Sequence, residues 1–179
     1  MYILVINAGS SSIKYQYIDP VSHSVGCSGL IERIGLDKGI ATHKVYRNGK
    51  EDRITENRNF PDHAAGMEMM AELLTDQTYG VIQHPGDIRA VGHRVVHGGE
   101  QYTRPALITD EVKESIRQLS PFVPLHDPAS LQAIEVAEKI FSRAIHVAIF
   151  DTAFHQTLPP KAYRFAIPNS FYEHNRIRV

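Results

Sequence analysis

Ile3-Leu4-Val5-Ile6-Asn7-Ala8-Gly9-Ser10-Ser11-Ser12-Ile13-Lys14 is the stretch that decides the fold. The residues up to Ile6 are β-rich and, Tyr2's hydroxyl aside, continuously apolar, the pattern of a strand buried on both faces. Asn7 to Ser12 are residues that tolerate tight backbone geometry and read as a turn. From Ile13 to Asp19 apolar and polar residues alternate, as in a half-buried strand, so the pair is a hairpin. Period-2 alternation sets Ser10, Ser12 and Lys14 on one face, where two hydroxyls and an ammonium point the same way. A turn of small residues also exposes backbone N–H groups and can cradle phosphate. It is not a Walker A loop: the order Gly-x4-Gly-Lys-Ser/Thr is absent, and the loop leads into a strand. Asn7, at the strand tip, offers a neutral oxygen to Mg²⁺ or its water shell. A plain polar hairpin turn is the competing reading.

Working outward, a third strand is expected within residues 23–33, and residues 40–56 form a hairpin turning at Asn48-Gly49. Met67, Met70, Leu73 and Leu74 share one face of a helix across 62–76. Residues 88–96 return to strand character and stop at Gly98-Gly99. Val112, Ile116 and Leu119 mark a second helix; Leu131, Ile134, Ala137, Ile140 and Phe141 mark a third. Asp127-Pro128 opens that third helix, Asp as the cap and Pro at the first helical position. An apolar strand at 144–150 ends at Asp151. Three strands followed by alternating helices and strands predict an α/β fold, a mixed sheet with flanking helices. Beyond Asp151, Pro159, Pro160 and Pro168 interrupt the pattern, as in a frayed terminus or the opening of a second domain.

The 179 residues are 42% hydrophobic and 22% charged, enough for a core without staples. Nineteen Lys and Arg against twenty Asp and Glu give a net charge of −1 and no global case for nucleic-acid binding. No apolar run is long enough for a membrane span, and the first residues lack a signal peptide's basic flank. The one cysteine, Cys27, suits a reducing compartment, so a soluble cytoplasmic protein is expected.

Three further positions have the chemistry of a site. His93 and His97 have a zinc-like spacing, but no Glu follows the first and no Cys lies nearby, which disfavours metal. On a strand, Arg94 and Val96 share the other face: a guanidinium can grip a carboxylate while the valine packs on a short alkyl group. A surface arginine paired with an acid is the alternative. His126 immediately precedes a helix start, where an anion is favoured and an imidazole can donate to phosphoryl oxygens; a packed loop histidine is the alternative. Asp151 lies at the carboxyl end of a strand, where α/β ligands gather. It can bind a metal, orient a neighbour or cap the next turn.

The block Ile6 to Lys14, with Gly92-His93-Arg94-Val95-Val96-His97-Gly98-Gly99, Pro124-Leu125-His126 and Phe150-Asp151-Thr152-Ala153-Phe154-His155-Gln156-Thr157, resembles the acetate kinase family in content and order. The resemblance covers essentially the whole chain. It implies a ribonuclease H-like sheet as one lobe of the two-lobed sugar kinase–Hsp70–actin fold, with residues 1–150 as the acyl and phosphate lobe and 151–179 as the start of a nucleotide-binding lobe. It implies reversible Mg²⁺-dependent phosphoryl transfer between ATP and acetate, giving ADP and acetyl phosphate, in a homodimer.

The resemblance also assigns roles. Asn7 would sit at the Mg²⁺ site, with Ser10, Ser12 and Lys14 on the phosphate side. Arg94 would hold the substrate carboxylate, and Val96 and Leu125 would line the methyl pocket. His126 would stabilise the transferring phosphoryl group, and Asp151 would orient or handle a proton. Two departures stand out: Asp127 replaces the family's usual Asn, and the chain ends before the family's Gly-Phe-His-Gly-Thr-Ser-His segment. A fragment inactive alone is therefore expected. Propionate or butyrate kinase is the nearest alternative, and a short non-catalytic anion- or partner-binding protein is the alternative of another class.

Overall fold

Strand β1 (Ile3–Ala8) turns directly into β2 (Ser12–Ile18), in a register that pairs Ile6 with Tyr15 and Asn7 with Lys14. The computed structural model describes residues 1–122 and 127–176. The meander continues through β3 (Val25–Glu32), β4 (Gly39–Arg47) and β5 (Lys50–Arg58). Asn48 and Gly49 both have positive φ, 52° and 73°, as the tight turn of a two-residue hairpin requires. The chain then crosses to the other side of β1. Strand β6 (Ala90–Val95) runs parallel to β1, and after β7 (Ala106–Leu107), β8 (Ile145–Phe150) runs parallel to β6. The sheet order is β5-β4-β3-β2-β1-β6-β8-β7, with β7 an antiparallel edge of two residues too short to leave a sequence pattern.

Helix α1 (His63–Leu74), α2 (Asp110–Leu119) and α3 (Asp127–Ile140) supply the second layer. Asp62 and Thr109 cap α1 and α2 by accepting from the amides of Ala65 and Val112. Met67, Met70, Leu73 and Leu74 of α1 join Ala133, Ala137 and Phe141 over the inner faces of β1 to β4, where Leu4, Ile6, Ile13 and Ile31 are buried. Val112, Ile116, Leu131 and Ile134 close a second cluster on Val95, Ala148 and Phe150.

The expectation that β1 is covered on both faces needs correction. Leu4, Ile6 and Ala8 are buried, while Val5 is 36% exposed on the opposite face, as are Ile145 and Ile149 of β8. α1 and α3 pack side by side over one face of the sheet. A run of apolar residues records tolerance for burial, not which layers are present.

Asp127 needs a second correction. It is the first residue of α3, but its carboxylate oxygens are buried without a hydrogen-bond partner among the described residues. It does not cap the helix. Beyond β8, a 3-10 segment (Asp151–Thr157) and two short helices, α4 (Pro160–Tyr163) and α5 (Ser170–Asn175), fold back. Tyr172 Oη donates to Glu100 at 2.8 Å.

Two buried polar pairs stitch the sheet. Tyr15 Oη and His43 Nδ1 lie 2.7 Å apart, and His93 Nε2 and His146 Nδ1 lie 3.0 Å apart. Burial, with His146 beside it, holds His93 down to about 3, so the His93 imidazole is neutral. Tyr15 fits only because its cross-strand partner is glycine: a Cβ on Gly29 would lie 2.1 Å from the tyrosine ring. Gly29→Ala should therefore destabilise the protein by roughly 1–3 kcal/mol, the usual cost of overpacking. A urea midpoint equal to wild type would show that the ring has room to move.

Candidate functional site

The three parallel strands end on one edge of the sheet, and the side chains at their carboxyl ends meet there. Asn7 and Arg94 each lie one residue before the end of their strands, β1 and β6, and Asp151 follows β8 directly. Arg94 bridges the other two. Its Nε donates to Asp151 Oδ1 at 3.2 Å and Oδ2 at 3.0 Å, and Nη2 donates to Oδ2 at 2.6 Å. Its Nη1 donates to Asn7 Oδ1 at 3.0 Å. A guanidinium has one hydrogen on Nε and two on each Nη, so each Nη keeps one N–H to offer elsewhere.

Arg94 and Asp151 are 43% and 42% exposed, and an ion pair so wetted contributes only about 0–1 kcal/mol to stability. The forked geometry fixes the plane of the guanidinium more than it stabilises the fold. Among the described residues the Asp151 carboxylate accepts hydrogen bonds from Arg94 alone, so its place is explained by Arg94. Val96 follows β6 immediately and is half-buried.

The loop between β1 and β2 lies beside this clasp. Gly9 N–H donates to the Ser12 carbonyl at 2.8 Å, and the Ser11 carbonyl accepts from Ile34 N–H at 3.0 Å. His63 Nε2 lies 2.6 Å from the Gly9 carbonyl oxygen. Among the described residues, the hydroxyls of Ser10, Ser11 and Ser12 and the backbone N–H groups of Ser10 and Ser11 make no hydrogen bond. Lys14, exposed and opposite Asn7, adds an ammonium with no ion-pair partner among those residues. An open groove of about 570 Å³ starts at Asn7 and Lys14 and extends over the bare sheet face to Thr42 and Arg53. Five uncommitted donors and a cation beside a clamped guanidinium can take up two anions close together.

The structure therefore brings Asn7, Ser10, Ser12, Lys14, Arg94 and Asp151 to one edge. Leu125 and His126 lie outside the described residues.

The profile of the Acetokinase family matches residues 2–179. The chain belongs to that family. The acetate kinases of Desulfovibrio desulfuricans and Thermotoga maritima are 49% and 47% identical to it, over 99% of this chain but only 44% and 43% of theirs. The crystal structure of Porphyromonas gingivalis acetate kinase superimposes with a TM-score of 0.89 at 35% identity. That match covers 99% of this chain and 44% of the other. A propionate kinase from Francisella tularensis gives 0.86 at 33%, over the same shares. The chain thus spans less than half the length of these relatives. The mixed sheet and the sugar kinase–Hsp70–actin type of lobe expected of the acetokinase family agree with this architecture.

Several contacts at the edge have no mark in the sequence pattern. Thr152 Oγ1 accepts from Gly98 N–H at 3.0 Å, and Gln156 Nε2 donates to the Gly99 carbonyl at 3.2 Å, tying the loop after β6 to the segment after β8. Gly98 has no room for a Cβ, which would lie 2.6 Å from the Phe150 ring. His63 is silent too, because helical periodicity ranks the apolar positions of α1 and is blind to a polar residue at its start.

Asp127 is the other unusual group. Burial pushes its carboxyl from 3.8 up to about 6, while the amides of Val96 and His97 pull it down. Neither amide completes a hydrogen bond with it. A carboxyl raised in the folded state favours folding while protonated, and that contribution is lost as pH rises from about 4 through about 6. Ionised, it costs roughly 3 kcal/mol. Asp127→Asn should thus raise the unfolding free energy at pH 8 by roughly 1–3 kcal/mol and leave it unchanged near pH 4. Urea titrations at the two pH values check this, and an equal gain at both would contradict it.

Proposed function

We propose that this chain supplies the acyl and phosphate side of an acetate kinase, which transfers a phosphoryl group between ATP and acetate. The observation that carries the reading is Arg94, clasped by Asp151 and Asn7 and still holding one free N–H on each Nη, next to a loop of unpaired donors. Residues 1–150 would form this lobe and residues 151–179 the start of a nucleotide-binding lobe. The whole enzyme's activity, and its pairing as a homodimer, would depend on parts that the relatives have and this chain does not span. A reducing cytoplasmic setting suits the single buried Cys27, whose thiol burial pushes up to about 12.

In this reading an acetate oxygen attacks the γ-phosphorus of ATP; an O–P bond forms as the bond to ADP breaks. Acetate is already ionised at neutral pH, so no base has to take a proton. The difficulty is bringing two anions together, and positioning and electrostatics dominate the solution. The free N–H groups of Arg94 would hold the carboxylate while Val96 and Leu125 pack on the methyl group. Ser10, Ser12, their loop amides and Lys14 would hold the phosphates. His126 would donate to the transferring group. Asp151 would orient Arg94 rather than accept a proton.

Mg²⁺ fits as an ion arriving on the nucleotide: Asn7 Oδ1 accepts one hydrogen bond and keeps a second lone pair for the ion or its water. No cluster of three or more His, Cys, Asp or Glu stands ready for a metal among the described residues, which suits a cation held mainly by phosphates. Bound there, Mg²⁺ would neutralise phosphate charge.

The test is acetyl phosphate formation from ATP and acetate. The complete polypeptide should be active and the 179-residue chain alone close to background. Arg94→Lys, which loses the fork, should lower kcat/KM for acetate by roughly 100-fold or more, and Asp151→Asn by roughly 10-fold or more. Near-normal turnover in Asp151→Asn would remove its orienting role, and near-normal turnover in Arg94→Lys would sink the carboxylate assignment. Acetate and propionate differ by one methylene, worth only about 1–3 kcal/mol, so comparing kcat/KM for the two decides the acyl preference.

A further inference from the structure

We infer that His63 is a positioning residue for the phosphate loop: its imidazole holds the Gly9 carbonyl inward and thereby turns the Ser10 N–H outward to a phosphate. The inference rests on the reading of that loop as a phosphate cradle. His63 opens α1, is 8% exposed, and reaches across 54 positions of sequence to place Nε2 at 2.6 Å from the Gly9 oxygen. A carbonyl can only accept, so Nε2 has to carry the proton.

The consequence follows from the peptide plane. In a trans peptide the carbonyl of one residue and the N–H of the next point in opposite directions. Fixing the Gly9 oxygen on His63 therefore fixes the Ser10 N–H on the side away from α1, and that N–H is one of the uncommitted donors. Without His63 the plane could rotate and turn a carbonyl dipole toward the incoming anion, repelling what the loop should attract.

The position of the imidazole is itself secured. The Asp62 cap fixes the start of α1, and Gly66, one turn on, lets the helix approach Ile13 and Ile34, where a Cβ would come within 3.0 and 3.1 Å. Ile34 N–H in turn holds the Ser11 carbonyl, so α1 and the segment after β3 anchor the loop from the same inner side. The distance across this anchor depends on helix packing, which explains why a residue with no link to the loop in sequence can set its geometry.

The experiment titrates the 179-residue chain with inorganic pyrophosphate and follows the backbone amides of Ser10 and Ser11 by NMR. In the wild type these amides should shift and saturate. His63→Leu should weaken pyrophosphate binding about five-fold or more, the effect of one lost buried hydrogen bond. His63→Gln, whose amide nitrogen can replace Nε2, should bind within about two-fold of wild type.

Unchanged affinity in His63→Leu, with the wild type still binding, would overturn the role of His63 and leave the cradle standing. No response of the wild-type amides would overturn both. If His63→Leu does not fold, imidazole ¹⁵N shifts of the wild type still decide. A proton on Nε2 supports the inference, and a proton on Nδ1 with Nε2 bare overturns it.

Discussion

The parallel pairing of β1 with β6 and of β6 with β8 is the constraint from which the site follows. Parallel strands deliver their carboxyl ends to the same edge, and this pairing puts Asn7, Arg94 and Asp151 within reach of one another across 87 and 57 positions of sequence. The antiparallel hairpin of β1 and β2 then folds the serine loop and Lys14 onto that edge. Buried aliphatic residues on one face and three helices across them hold the strands in place. The side chains of the site are left wet and only loosely involved in stability.

That division of labour fits the chemistry proposed. A guanidinium that is to receive a carboxylate needs a fixed plane and unused hydrogens. A single carboxylate partner on one side supplies the first and leaves the second. Arg94 has this arrangement, with Asn7 adding a second point of attachment. The loop solves the analogous problem with backbone: the carbonyls of Gly9, Ser11 and Ser12 are engaged by His63, Ile34 and Gly9, and the amides of Ser10 and Ser11 and the three serine hydroxyls are left over among the described residues. Both devices keep negative ends occupied and positive ends available, as two converging anions require.

Much of this was legible in the sequence, unevenly. The β1–β2 hairpin, the Asn48-Gly49 turn and the three main helices carry strong local signals, and their boundaries differ from the reading by a few residues at most. Asn7, the serines, Lys14, Arg94 and Asp151 could be named because each lies at a strand end or on an alternating face. Three things were not legible. Burial of β1 on both faces was inferred from apolarity alone, which does not say where a covering layer lies. Asp127 looked like a cap because Asp before Pro usually is one; its carboxylate instead turns into the interior beside Val96 and His97, a tertiary outcome. His63 acts on a loop remote in sequence, and periodicity carries no information about such a contact.

The central claim is that Arg94, held by Asp151, is the receptor for the substrate carboxylate. The most direct measurement is an acetate titration of the wild-type chain followed on the Arg94 side-chain N–H resonances, with formamide as a neutral control. Saturable shifts of the Arg94 Nη protons with acetate, absent with formamide, and an Nε proton that stays bonded to Asp151 throughout are the predicted result. Arg94 resonances indifferent to acetate, or an Nε–Asp151 bond that breaks as acetate binds, would contradict it.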